Sequence, residues 1–243
     1  MEMLEKQSLD LSVIMPCLNE AHTVGISVSE ARAFMEKNHI HGEVLVVDNG
    51  SGDASAAVAA KHGARVVTQP RRGYGSAIRA GIASSRGKVI IIGDCDTTYD
   101  FLHLEAMYRL LAENECDMVI GNRFAGGMER GSMPWTHKWG VRFLSFFGRL
   151  RLHTDVCDFH CGLRGMRRGA AERLTFHTEG MEFATEMIAQ AVKQELRIMQ
   201  IPVVLRRCHH QRRSKLRTVR DGLRHFIYMI QIPTRRSVSW KEK

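Results

Sequence analysis

The chain has 243 residues, 44% of them hydrophobic and 25% charged, with a formal net charge of +9. That length suits one large α/β domain or one domain with an appendage, and the composition is ordinary for a soluble globular protein. No apolar run reaches the roughly 18 residues of a membrane span, and the polar first ten residues, MEMLEKQSLD, do not read as a signal peptide.

The charge is unevenly spread. From Arg206 to Lys243 twelve Lys/Arg stand against two acids, Asp221 and Glu242, a net of +10, so the preceding residues total −1. Such a block implies an anionic partner: phosphate, lipid headgroups or nucleic acid. The six cysteines (17, 95, 116, 157, 161 and 208) are scattered. That suits reduced thiols and a cytoplasmic protein better than a disulfide framework.

In chain order, Leu11–Met15 reads as a strand ended by Pro16 and Ala21–Asn38 as a helix. Glu43–Asp48 is a second strand, Asp53–His62 a short helix, Arg65–Thr68 a third strand and Tyr74–Ser85 a helix. Lys88–Ile92 is a strongly β-branched fourth strand, Asp100–Glu115 a helix and Asp117–Gly121 a fifth strand. Strands alternating with helices at this spacing predict a mostly parallel sheet flanked by helices. After Arg123 the rhythm breaks into the Gly-rich loop Gly126–Ser132. A helix then carries Trp139, Phe143, Phe147 and Leu150 on one stripe, with Lys138, Arg142 and Arg149 elsewhere. Met181–Lys193 reads as a helix and Arg197–Leu205 as a strand. Thr218–Gln231 is a helix with Val219, Leu223, Phe226, Ile227 and Ile230 on one face. Stripes of this kind usually pack into a core; with basic neighbours they can instead lie on a membrane surface.

Four segments fall at strand ends: PCLNE (Pro16–Glu20), VDNGSGD (Val47–Asp53), RRGYGSA (Arg71–Ala77) and GDCDTTYD (Gly93–Asp100). In a parallel sheet these ends share one edge, where open α/β sheets bind their ligands. Asp94 and Asp96, one residue apart, are hard oxygen ligands suited to Mg²⁺ or Mn²⁺ bridging to phosphates. Asp48 can accept hydrogen bonds from a nucleobase or ribose, and Gly73 and Gly75 allow close backbone approach to a ligand.

These segments resemble those of the family 2 glycosyltransferases with the GT-A (Rossmann-like) fold, and most of all the branch that transfers sugars to polyprenyl phosphates. PCLNE is similar to the family's P-x-x-N-E, VDNGSGD to its V-D-D/N-G-S-x-D, and GDCD to its D-x-D. GNRF (Gly121–Phe124) is similar to G-S-R, CGLRGMRR (Cys161–Arg168) to C/S-G-F-R, and RRSKLR (Arg212–Arg217) to the late R-x-S-K-L. The resemblance spans about residues 10–225 and implies a single catalytic domain. Its core covers about 10–205, and 206–243 forms a basic acceptor- or membrane-proximal segment. It implies that Pro16, Leu18, Glu20, Val46 and Asp48 hold the nucleoside of a nucleotide sugar, with Gly73 beside the donor. Asp94, Cys95 and Asp96 would lie at the diphosphate, with Asp96 the main metal ligand and Asp94 close to metal and sugar. Arg123 and Lys215 would contact phosphates, and Arg206, Arg207, Arg213 and Arg217 would form the acceptor side. Thr98 stands where some members carry a metal-coordinating Gln, and the membrane helices that many relatives add after the catalytic domain are absent.

The implied activity is metal-dependent inverting transfer of a hexose from a UDP- or GDP-sugar to a polyprenyl (dolichyl or undecaprenyl) phosphate. A phosphate acceptor is already anionic at neutral pH, so it needs cations rather than a general base. If the acceptor were a sugar or lipid hydroxyl, a carboxylate base would be required, and Asp158, Glu182 and Glu186 are its candidates. The expected partners are the nucleotide sugar and the lipid phosphate, with a peripheral membrane association and no nucleic acid. Two weaker readings stand beside this one: zinc held by Cys157, His160 and Cys161 with Cys208, His209 or His210, and a basic nucleic-acid-binding module.

Overall fold

The computed structural model describes residues 9–208 and 218–232. Its frame is a seven-stranded sheet: β1 (Leu9–Cys17), β2 (Gly42–Asp48), β3 (Arg65–Thr68), β4 (Gly87–Ile92), β5 (Met118–Asn122), β6 (Arg164–Arg167) and β7 (Ile198–Pro202). The spatial order is β3-β2-β1-β4-β6-β5-β7. Only β6 runs against the rest, pairing antiparallel with both β4 and β5. The mostly parallel α/β sheet expected of the sequence is therefore present, and the carboxyl ends of β1 to β5 and β7 share one edge.

The helices are α1 (Val24–Lys37), α2 (Ser55–Lys61), α3 (Tyr74–Ser84), α4 (Glu105–Ala112), α5 (Arg123–Gly126), α6 (Trp135–Leu152), α7 (Arg168–Ala171), α8 (Phe183–Lys193) and α9 (Thr218–Gln231). The core lies where they cover the sheet. Val13, Ile14 and Met15 of β1, Leu45, Val46 and Val47 of β2, and Ile90, Ile91 and Ile92 of β4 are all buried, as expected of strands covered on both faces.

Three sequence expectations are corrected. Pro16 does not end β1, which runs to Cys17. Ile14 turns its carbonyl toward β4 and accepts Gly93 N–H at 3.1 Å. Two residues on, Pro16 faces the same side beyond Ile92, where β4 has ended, so its missing donor leaves no ladder partner unpaired. The helix expected from Asp100 begins at Glu105, because Asp100 instead accepts from Leu102 N–H and pairs with His103. Strand β6 was not foreseen: two of its four residues are arginines. Arg164 is nevertheless buried, and its guanidinium donates to the carbonyls of Phe159, Cys161 and Ala184.

The aromatic stripe of α6 faces outward: Trp135 is 74% exposed, Trp139 67% and Phe143 62%. Its inward face is Val141, Ser145 and Gly148. That face is small because a methyl group at Gly148 would sit 2.6 Å from the Phe159 ring. Helix α9 lies beside it, with the Phe147 and Phe226 rings 5.1 Å apart and Arg151 donating to the carbonyl of Ile232.

Under α9 the His160 and His225 rings meet edge to face at 4.4 Å, and Thr185 Oγ1 hydrogen-bonds His225 Nδ1 at 2.8 Å. Both His160 ring nitrogens are buried without a hydrogen-bond partner. Burial, with the charge of Arg164 adding to it, lowers His225 to about 4. Burial and then His225 push His160 well below the ordinary imidazole range. Both rings are neutral in the fold, whereas the unfolded chain protonates them below about pH 6.5. The unfolded state thus binds more protons in that window, and stability falls as pH drops from about 6.5 toward 4. Calorimetric melting across this range should show that decline, and the double variant His160→Gln/His225→Gln should show a shallower one.

Candidate functional site

The expected site segments converge. A crevice of about 290 Å³ opens at the carboxyl edge of the sheet, lined by Pro16, Cys17, Leu18, Glu20, Asn49, Arg72, Gly73, Tyr74, Ala77, Asp94, Cys95, Asp96 and Met181. A larger cavity of about 450 Å³ lies at the opposite edge, beside Asp10, Lys88, Tyr108, Arg167 and Arg168. Its cations are engaged locally, Lys88 with Asp10 and Arg168 with the carbonyl of Gly87. The segments that the sequence singles out meet at the smaller crevice.

Hydrogen bonds between loops set its rim. Asn19 accepts from Gly52 N–H at 2.7 Å, and its own N–H donates to Ser51 Oγ at 2.9 Å. Glu20 N–H donates to Ser55 Oγ at 2.7 Å, and Glu20 Oε2 accepts from Thr23. The first two strand-end loops are thus laced together. Asn49 links the third: its Nδ2 donates to the carbonyls of Gln69 and Arg71, and its Oδ1 accepts Gly73 N–H at 2.7 Å. Gly73 has φ +145, and a β-carbon there would fall 2.3 Å from the Glu179 carbonyl oxygen. The close approach expected at Gly73 and Gly75 is therefore to the 178–179 segment, whose Glu179 carbonyl accepts Gly75 N–H at 2.8 Å.

The two aspartates are held differently. Asp96 Oδ1 accepts from the N–H and hydroxyl of Thr98, and Thr97 before it has φ +66. Thr98 thus serves as an orienting donor to the acidic pair. Asp94 accepts from the Tyr74 hydroxyl, whose ionisation is pushed well up by burial and then by the Asp94 charge. Behind Asp94 stands Gly162, where a methyl group would come within 2.4 Å of Oδ2; its N–H donates to Tyr99 Oη at 2.8 Å. Among the described residues no group of three or more His, Cys, Asp or Glu is placed to hold a metal. Two carboxylates on an open crevice fit a cation such as Mg²⁺ or Mn²⁺ that takes its remaining ligands from phosphate and water.

Other expected residues lie elsewhere. Val46 is fully buried between Met15 and Val66 and does not line the crevice. Asp48 ends β2 just beside it, with Oδ1 accepting Ser51 N–H at 3.2 Å. Arg123 does not line it either. Its Nε and Nη2 both bond Asp158 at 2.7 Å, in a pair where Asp158 is fully buried and Arg123 nearly so. Asp158 is thereby corrected from candidate base to structural partner. Glu186 is corrected in the same way, because its carboxylate caps His177 N–H and the N–H and hydroxyl of Thr178. Glu182 differs: Oε1 accepts from Gly180 N–H, while Oε2 is buried with no hydrogen-bond partner. Arg206 is held by Glu30 and Asp100 rather than left for a phosphate, and exposed Arg207 is anchored through its N–H to Glu129. Lys215, Arg213 and Arg217 lie outside the described residues, as do His209 and His210 of the zinc reading. Cys161 of that reading is fully buried, and its thiol, pushed up to about 11 by burial, lies 3.7 Å from Tyr99 Oη.

Sequence reasoning passed over Asn49, Arg72, Tyr74 and Met181. An Asn following a strand-end Asp is a turn signal that could have marked the first; nothing in the sequence marks the partnership of Tyr74 with Asp94.

A family model described as Glycosyl transferase family 2 matches residues 12–175. The chain is 35% identical over 223 residues to the Low-salt glycan biosynthesis hexosyltransferase Agl6 of Haloferax volcanii, covering 90% of this chain but 53% of that one, so it spans about half that relative's length. It is 28% identical to the Dolichyl-phosphate hexose transferase of the same organism, covering 81% of this chain and 83% of that one. In fold it is similar to glucosyl-3-phosphoglycerate synthase from Mycobacterium tuberculosis, crystallised with Mn²⁺ and uridine-diphosphate-glucose. That match has a TM-score of 0.71 at 22% identity, over 93% of this chain and 80% of that one.

Removing Asp158 would strand the buried Arg123 guanidinium, which typically costs about 3–5 kcal/mol. Urea unfolding of Asp158→Ala is expected to show a loss of that order.

Proposed function

The chain belongs to glycosyl transferase family 2, and on that premise we propose that it moves a hexose from a UDP- or GDP-sugar to a polyprenyl phosphate, with inversion at the anomeric carbon. The observation that carries this reading is the Asp94–Asp96 pair on an open crevice, each carboxylate oriented by a hydroxyl donor. The printed names of the Haloferax relatives, one a hexosyltransferase and one a dolichyl-phosphate hexose transferase, support the sugar and acceptor classes. The Mn²⁺ and uridine-diphosphate-glucose of the similar fold support the donor class.

In this reading Pro16 and Leu18 flank the nucleoside, with Asn49 and Asp48 at the polar end of the same rim. Asp94 and Asp96 would hold a divalent cation, which would supply positive charge to a diphosphate leaving group. Arg72, exposed on the crevice wall, adds positive charge near that group. Arg123 contributes by fixing the Asp158 loop. Lys215 and its neighbouring arginines, with Arg207, supply cations for the acceptor phosphate, which then attacks the sugar without a general base.

The partnerless Oε2 of Glu182, one residue from crevice-lining Met181, favours a second reading in which a hydroxyl acceptor is deprotonated there. One experiment separates the two: donor turnover across UDP- and GDP-sugars, with and without a short polyprenyl phosphate, with Mn²⁺ or with chelator. The phosphate-acceptor reading expects release that depends on the lipid phosphate and is indifferent to Glu182→Gln; a glutamine variant reduced about 100-fold or more would favour the hydroxyl reading. Either way, chelation and Asp96→Ala should each cut transfer by at least about 100-fold while melting is preserved. Near-normal turnover by Asp96→Ala would sink its assignment.

A lipid acceptor also calls for an apolar approach. Trp135, Trp139, Phe143, Phe146 and Leu150 of α6 and Leu223, Ile227 and Ile230 of α9 are exposed on neighbouring helices, with Lys138, Arg142 and Arg149 exposed on α6. Apolar side chains interspersed with cations suit the headgroup boundary of an anionic bilayer. Among the described residues no helix is long and apolar enough to cross a membrane. The chain is expected to float with anionic liposomes at low salt and to be released by high salt or by Trp139→Ala/Phe143→Ala. Dimerisation through this face without flotation would assign it to a second copy instead.

A further inference from the structure

We propose that Cys17 and Cys95 form an oxidisable dithiol in the wall of the crevice, a modification site through which small peroxides close it reversibly. Strands β1 and β4 are parallel neighbours with Ile14 opposite Ile92; Cys17 closes β1 three residues after Ile14, and Cys95 follows Ile92 by three residues in the loop beyond the end of β4. The Gly93 N–H bond to Ile14 carries the pairing past the end of β4. The Cys95 thiol reaches the carbonyl of Pro16, the residue before Cys17, at 3.4 Å, and each thiol shifts the ionisation of the other, Cys17 down and Cys95 up. Where β1 and β4 pair they stand about 4.8 Å apart, so the loop carrying Cys95 leaves β4 within the roughly 4.4–6.8 Å Cα separation that a disulfide spans.

Among the described residues no other two cysteines are placed together in this way. Cys116 lies against the carbonyl of Leu110, Cys157 against that of Asp155, and Cys161 against Tyr99 and Leu163. All six cysteines are free. Cys17 and Cys95 are 2% and 1% exposed, yet both line the crevice, so a peroxide-sized oxidant has a route that a bulky reagent lacks.

The chemistry balances without a cofactor. Hydrogen peroxide oxidises one thiol to a sulfenic acid with release of water. The second thiol displaces the sulfenic hydroxyl, forming the S–S bond and releasing a second water. Two thiols lose two hydrogens, and the peroxide is reduced. Closing the two sulfurs to about 2.05 Å draws Cys95 toward β1 and displaces the aspartates on either side of it. The consequence for ligand binding rests on the donor-crevice reading; formation of the disulfide does not.

The test uses the full chain treated with hydrogen peroxide, capped with N-ethylmaleimide and digested without reductant. A peptide linking Cys17 to Cys95, abolished by dithiothreitol, is expected. In parallel, UDP and GDP binding by calorimetry should weaken about tenfold or more on oxidation and recover on reduction, a loss of about 1.4 kcal/mol. In Cys95→Ser, the Cys17 peptide should instead gain the mass of oxygen after peroxide, with no cross-link. Absence of the linked peptide, or another pairing in its place, overturns the dithiol. A cross-linked protein with the nucleotide affinity of the reduced one overturns the closure. A reduced protein that binds neither nucleotide counts against the donor reading, while the linked peptide still decides the dithiol.

Discussion

The buried pair of Arg123 and Asp158 fixes the wall on which the acidic crevice leans. Asp158 receives two guanidinium bonds, the N–H of Arg123 and the N–H of His160. Residues 158–162 are then held from both sides: Phe159 N–H donates to Ser145 of α6, and its carbonyl accepts from Arg164 of β6. At the end of that segment Gly162 presses on Asp94. Burying two charges gives up hydration that mutual attraction only partly returns. What the pair supplies is position: it locks β5, the loop after α6 and the start of β6 into one geometry, and Asp94 takes its place against that.

The convergence of segments on one crevice was largely legible because most of them follow a parallel strand. Such strands are buried on both faces and read as continuous apolar runs, so β2 and β4 stand out and their ends locate the loops. Strand β6 was not legible. Arg-Gly-Met-Arg has neither the apolar run nor the alternation of a strand, and it is stable only because carbonyls scattered over 25 residues of sequence converge on Arg164. The α6 stripe was visible as a stripe, but spacing does not say which side faces the core. Here the small residues Val141, Ser145 and Gly148 do, because Phe159 leaves no room for larger ones. Resemblance also carried Val46 and Arg123 into the site; Val46 is fully buried within the sheet and Arg123 is paired with buried Asp158.

Charge bookkeeping at the level of sequence overstated what is available. Arg206 was counted among the cations for an acceptor, yet Glu30 and Asp100 neutralise it, and Glu30 also receives the N–H of Phe101. That network ties α1 to the loop that follows the acidic pair. A guanidinium so engaged stiffens a loop, because it has lost the freedom to follow a moving phosphate. Arg72, by contrast, is exposed at the crevice with one hydrogen bond to the carbonyl of Gly50, and it has the reach to meet an arriving anion.

The reversed strand β6 bears on the order in which the chain assembles. Strands β3, β2, β1 and β4 are neighbours in space and complete by residue 92, so half of the sheet can close early in synthesis. Strand β5 emerges next, but both its partners, β6 and β7, lie later in the chain. Until residue 164 follows, β5 has no strand to pair with, and the far edge of β4 stands open. Such unpaired edges template association between chains, and non-local pairings close slowly. The interval between β5 and β6 is therefore where a nascent chain is most exposed to wrong partners. The segment spanning it, α6 with its outward aromatic stripe, is also the one that most needs a surface to meet.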